Sequence, residues 1–108
     1  MLYERAVGYY LEQQGYQILE YNYRCKIGEI DLIARDGEYL VFVEVKYRRD
    51  QGKGDPLEAV DRKKQRKICR CAGYYLLEHH LGKIPCRFDV AGIEAHRIVL
   101  LKDAFLCD

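Results

Sequence analysis

Residues 28–46 read Gly-Glu-Ile-Asp-Leu-Ile-Ala-Arg-Asp-Gly-Glu-Tyr-Leu-Val-Phe-Val-Glu-Val-Lys. Asp36-Gly37 separates two runs of strand-forming residues, and a turn dipeptide so placed is the strongest short-range sign of a β-hairpin. With Asp36-Gly37 as a two-residue loop, Arg35 faces Glu38, Ile33 faces Leu40, Asp31 faces Phe42 and Glu29 faces Glu44. Side chains alternate between the two faces of a sheet. Glu29, Asp31, Glu44 and Lys46 therefore share one face, while Ile30, Leu32, Val41, Val43 and Val45 line the other, the expected core.

Three carboxylates and an ammonium on one face of an apolar hairpin carry a cost, because like charges opposed across a strand pair repel. Glu29 would oppose Glu44, and Asp31 would lie diagonal to Glu44 at roughly 7 Å between backbone positions. A hard divalent cation with oxygen ligands at about 2.1 Å, such as magnesium, turns that repulsion into a binding site. Lys46 can neutralise Glu44, or it can orient and deprotonate a water and stabilise charge on an attacked phosphate. Register is critical here: a loop one residue longer would send Asp31 and Glu44 to opposite faces.

Elsewhere the chain reads as an ordinary globular domain, residues 1–108, too short for a second core. Apolar residues make up 49% and charged residues 32%, which excludes a disordered or collagen-like chain. No apolar run approaches the roughly 18 residues of a membrane span, and the N-terminus lacks the basic-then-apolar layout of a secretory signal. The expectation is a cytoplasmic protein with no membrane association. The five cysteines are odd in number and irregular in spacing, so reduced thiols are expected rather than a disulfide framework or a zinc site.

The net charge of +1 conceals an uneven distribution. Residues 44–70 hold ten Lys or Arg against five Asp or Glu, while the remainder holds eight against twelve. A basic segment of this kind suits a polyanion partner.

The expected elements are a helix over 2–14, a strand over 16–23, the hairpin of 27–35 and 38–48, a long helix from Asp55 to His80 or Leu81, and strands over 86–95 and 98–102. Asp55 is the expected N-cap of the long helix, with Pro56 at its first position and Glu58 completing a capping box. At about 100° per residue, Lys63, Arg66, Lys67 and Arg70 fall within an arc of roughly 100°, away from an apolar face of Leu57, Val60, Ile68, Cys71, Ala72 and Tyr75. Such a basic stripe can track a phosphate backbone, although a solvated helix face has the same pattern. Lys64 falls inside the apolar arc, its stem expected on core surface and its head in solvent, or else turned towards the acids. Arg48, at the end of the hairpin, joins the basic set. The adjacent His79 and His80 suit a helix C-terminal interaction better than metal ligation.

Asp31, followed on the next strand by Glu44-Val45-Lys46, resembles the PD-(D/E)xK nuclease pattern, with Ile30 in place of the proline. Together with Gly28-Glu29-Ile30-Asp31-Leu32-Ile33, Phe42-Val43-Glu44-Val45-Lys46, Lys64-Gln65, Arg87-Phe88-Asp89-Val90 and Asp103-Ala104-Phe105, it resembles the YraN-like family of small bacterial proteins, which is similar to Holliday-junction resolvases. The resemblance implies an α/β (α+β) restriction-endonuclease-like fold, a mixed sheet of about five strands flanked by helices in the order α-β-β-β-α-β-β. It implies a metal-dependent endonuclease on DNA, branched DNA included, that works as a homodimer. Asp31 and Glu44 would bind Mg2+ or Mn2+, and Lys46 would assist the attacking water. Glu4 matches a metal-site glutamate on the first helix, with Glu29 as a further candidate ligand. Gln65 would supply a polar side chain from the long helix, and Asp89 is expected to pair with Arg87 in a structural role. Two other readings compete: a non-catalytic nucleic-acid-binding protein that kept the fold, and an interaction module with a tyrosine-rich surface.

Overall fold

The computed structural model describes residues 2–48, 56–95 and 97–107. Its elements are α1 (Leu2–Gln13), β1 (Gln17–Cys25), β2 (Gly28–Asp36), β3 (Tyr39–Arg48), a 3-10 turn (Pro56–Ala59), α2 (Arg62–Glu78), β4 (Cys86–Glu94) and β5 (Arg97–Leu101). The order α-β-β-β-α-β-β is the expected one. The five strands form one sheet in sequential order, so β3 is central. Strands β3 and β4 are parallel and the other neighbours antiparallel. A parallel pair needs a crossover connection, and α2 supplies it.

Each face of the sheet carries a helix because each face presents apolar side chains. Val7 and Leu11 of α1 pack with Leu32, Ala34, Val41, Val43 and Ala91. Ile68, Cys71, Ala72 and Tyr75 of α2 pack with Ile30, Ile33, Leu40, Phe42, Phe88 and Val90 on the other face. This is a mixed α+β protein whose central strand is buried from both sides. Among the described residues no helix is long and apolar enough to cross a membrane.

The hairpin departs from expectation by a shift of two residues. Asp36 pairs with Tyr39, so the loop is Gly37-Glu38, with Gly37 at φ +61° in its first position. Glycine there meets the positive φ that a glycine-first two-residue turn demands. A two-residue shift preserves the faces, because side chains alternate with period two. It changes who opposes whom: the ladder runs Leu32↔Val43, Ile33↔Phe42, Ala34↔Val41. Glu29 consequently pairs with Arg24 on β1 and does not oppose Glu44. Ile30 also leaves its expected face and joins the α2-side core with Ile33 and Phe42. The alternation is interrupted around Asp31, beyond the last β2–β3 pair and beside Asn22, which has φ +52°.

The long helix begins later than its sequence signals suggest. Asp55 lies outside the described residues; Pro56–Ala59 forms the 3-10 turn, and Asp61 caps α2, its carboxylate accepting from the Lys64 N–H at 2.8 Å. Val60, between the two segments, is buried, and the Gln65 side-chain amide donates to its carbonyl at 3.0 Å. The helix ends at Glu78 with His79 as its C-cap, the imidazole against the Tyr75 carbonyl as anticipated. The cysteines are a correction: Cys69 of α2 and Cys107 form a disulfide with Cα atoms 5.7 Å apart. The chain after β5 returns across α2, a proximity that linear spacing does not reveal. Cys25, Cys71 and Cys86 are free thiols, Cys25 and Cys71 in mutual contact.

Candidate functional site: a buried carboxylate pair

Leu40 to Glu44 of β3 are all buried, and four of these five residues are apolar. Glu44 ends the run at 4% exposure. Beyond Leu32↔Val43 the strand ladder stops, and the Asp31 side chain continues it: its Oδ2 accepts from the Val45 N–H at 2.8 Å. A main-chain donor is thereby satisfied by a carboxylate, which pins Asp31 between β2 and β3 at the level of Glu44. Burial pushes the Asp31 pKa up to about 7, and the charge of Glu44 and a hydrogen bond to it push the same way. The Val45 N–H opposes the rise, and the more distant charge of Glu4 adds to it.

Two ammonium groups reach the same oxygen of Glu44. Lys46 Nζ lies 3.5 Å from Oε2 and Lys64 Nζ 3.6 Å from it. For Lys64 this corrects the expectation of a head in open solvent: from the core-facing arc of α2 its nearest charge is Glu44. The pair Asp31–Glu44 thus has cations along one side, and its remaining capacity is for a proton or a further cation.

The other candidates divide. Glu4 is half-buried on α1, its charge felt at Asp31. Glu29 is exposed, and its charge is felt at Cys71 of α2. Gln65 is committed to the Val60 carbonyl. Lys63, Arg66, Lys67 and Arg70 are exposed on α2 as expected. Arg48 turns to the buried Glu94, 3.6 Å away, rather than outward with the basic set. Arg62 was missed by sequence reasoning. Its spacing to Arg66 and Arg70, four and eight residues, was a readable signal, obscured by placing the helix start too early. With Gln65, Cys69 and Leu106, these three arginines line a cavity of about 230 Å³.

Asp89 has the structural role expected of it. It is fully buried and accepts from the Tyr16 hydroxyl at 2.9 Å, from Arg87 Nε and Nη2 at 3.0 Å each, and from the Asp103 N–H at 3.0 Å.

The donor chemistry fits a hard divalent cation: two carboxylates level with one another on adjoining strands, one held near neutral pKa partly by the other. Among the described residues no three His, Cys, Asp or Glu side chains converge as a metal cluster. A two-carboxylate set suits magnesium, which binds through one or two carboxylates and keeps several waters. Asp31 and Glu44 are the residues that could hold it.

Fold and site together define an α+β protein with a carboxylate pair, Glu44 buried and Asp31 half-buried, where the β2–β3 ladder stops. The chain belongs to the uncharacterised protein family UPF0102, the YraN-like family, whose model matches residues 3–93. It is 53% identical over 103 residues to a UPF0102 protein of Lachnoclostridium phytofermentans, covering 94% of this chain and 87% of that one. It is 49% identical over 106 residues to a UPF0102 protein of Syntrophus aciditrophicus, covering 94% and 84%. A UPF0102 protein of Pseudomonas putida is 42% identical over 104 residues, covering 91% and 85%.

Proposed function

We propose that this protein is a metal-dependent endonuclease that hydrolyses phosphodiester bonds in DNA, with branched DNA among its substrates. The observation that carries the reading is the Asp31–Glu44 pair, Glu44 buried and Asp31 half-buried, with Lys46 beside Glu44: the two like charges raise the Asp31 pKa, and a bound cation would relieve that repulsion. Asp31 and Glu44 hold magnesium or manganese; when bound, the ion supplies charge neutralisation at the phosphate and a lowered pKa for water. Lys46, 3.5 Å from Glu44, orients the attacking water. The water oxygen bonds to phosphorus and gives up a proton to solvent, the ester P–O bond breaks, and the leaving oxygen takes up a proton from solvent. Lys64 offsets charge on the phosphate from the α2 side, and the exposed Lys63, Arg66, Lys67 and Arg70 contact backbone phosphates without reading sequence.

The test is cleavage of labelled four-way-junction, flap and linear DNA with magnesium or manganese. Wild type is expected to cut at least one of these, and Asp31→Ala and Glu44→Ala are each expected to lose at least about a hundredfold in rate, in line with the loss of a charge-stabilising group. A second reading is a binding protein without catalysis. It is favoured by the two lysines that already share Glu44 Oε2, which neutralise the site with no metal. Junction binding without cleavage by wild type under every metal tried would establish it.

A further inference from the structure

The cysteine sulfurs have three different fates. Cys69 and Cys107 are bonded to each other, and Cys86 rests against the Ile84 carbonyl at 3.4 Å. Cys25, at the end of β1, and Cys71, on α2, meet although 46 residues separate them: their Sγ atoms lie 2.8 Å apart. Non-bonded carbon atoms settle at about 3.5–4.0 Å, and sulfur is the larger atom. Closing this contact to an S–S bond of about 2.05 Å takes a movement of under about 1 Å.

The two thiols differ in access. Cys71 is fully buried in the α2-side core with Ile68, Ala72 and Tyr75. Burial, with the hydrogen bond to Cys25 adding to it, pushes its thiol up to about 12, so Cys71 is a poor first nucleophile. Cys25 is half-buried and lines a cavity of about 490 Å³ together with Arg24, Lys26, Tyr74 and Leu77. Arg24 and Lys26 are exposed, and their charge draws a negatively charged reagent to this cavity.

We infer that Cys25 and Cys71 form a redox-active pair that a small-molecule disulfide oxidises to a second cystine, Cys25 being the entry thiol and Cys71 the resolving one. Cys25 releases its proton to solvent and attacks one sulfur of the reagent. The reagent's S–S bond breaks, and its other half leaves as a thiolate that takes up a proton. Cys71 then gives its proton to solvent and attacks Cys25 Sγ, expelling the second half of the reagent as a thiol. The pair loses two electrons and the reagent gains them. Contact with Cys25 offsets the small thiolate fraction of Cys71, because attack within one molecule needs no encounter. The product staples the end of β1 to α2, just ahead of the turn into β2, the strand that carries Asp31. None of this depends on the proposed function.

The experiment incubates the full chain in glutathione buffers that run from reduced to oxidised. Free thiols are then alkylated, and the linkages are located by peptide mass spectrometry. Wild type is expected to lose Cys25 and Cys71 together to one linked peptide pair, a mass loss of about 2 Da, while Cys86 stays open to alkylation. Cys71→Ser is expected to stop with one glutathione on Cys25, and Cys25→Ser to leave Cys71 unmodified. Cys69→Ser/Cys107→Ser is expected to form the Cys25–Cys71 link as wild type does, which separates it from exchange with the existing disulfide. The inference is overturned if wild-type Cys25 accumulates as the glutathione adduct, if it links to Cys69 or Cys107 instead, or if both thiols remain open to alkylation at every ratio. The wild-type map decides all three outcomes, whether or not Cys71→Ser folds.

Discussion

Asp31 combines two conflicting duties. Its Oδ2 closes the gap in the β2–β3 ladder by accepting from Val45, while burial first and the charge of Glu44 second hold its pKa near 7. The folded pKa lies above the ordinary 3.8, so between these values the folded chain binds the proton that the unfolded chain has released. The contribution of Asp31 to stability should then be fully present below about pH 4 and decline as pH rises to about 7. Asp31→Asn keeps an oxygen for Val45 and removes the charge. It should flatten that decline and be more stable than wild type by roughly 1–3 kcal/mol at pH 7.5. Urea unfolding of both proteins across this range measures it, and a difference between wild type and Asp31→Asn that stays constant from pH 4 to 7 would contradict it. The neighbouring charges of Glu44 and Lys46 were legible in the linear sequence because residues two apart on a strand share a face, whereas the place of Asp31, where the alternation breaks, was not.

The elements were legible in type and order, less so at their ends. The start of α2 is instructive. Asp55-Pro56 with Glu58 and Asp61 with Lys64 are both plausible openings, and local signals do not rank them. In the folded chain Asp61 is the cap, its carboxylate accepting from the Lys64 N–H, and Pro56–Ala59 forms a separate 3-10 turn. Asp61→Ala removes the acceptor for the Lys64 N–H and should lower stability by about 1 kcal/mol, read as a shift in urea midpoint at constant slope. An unchanged midpoint would mean that packing alone sets the helix start. The cap also orients the first turn of α2, from which Lys64 reaches Glu44. For Lys64 the sequence left two directions open, solvent or the acids, because a helical wheel assigns a direction and not a partner; the fold takes the second.

Across the fold, Arg87 joins segments far apart in the chain. It donates to Asp89 on its own strand, to the Tyr16 hydroxyl before β1, and pairs with Asp36 at the hairpin turn at 2.9 Å. Asp89 in turn accepts from the Asp103 N–H after β5. One buried carboxylate and its guanidinium thereby register both ends of the sheet against the central hairpin. Arg87→Ala leaves the Asp89 charge buried without its cation and should cost about 3–5 kcal/mol, measured by urea unfolding. A cost below about 1 kcal/mol would mean that Tyr16 and the Asp103 N–H suffice. The sequence disclosed the local pair, Arg87 and Asp89 two residues apart, and nothing of Tyr16, Asp36 or Asp103. The Cys69–Cys107 disulfide was hidden for the same reason.

Period-two alternation, turn chemistry and helix periodicity are local properties, and they were enough to establish the element order, the nearness of Lys46 to Glu44, and the basic exposed side of α2. The shift of the hairpin, the departure of Ile30 and Glu29 from their expected places, the turn of Lys64 towards Glu44 and the pairing of cysteines depend on three-dimensional packing. Each involves residues brought together by competing burial and charge pairing between distant segments, and that competition is resolved only when the sheet and both helices close on one another.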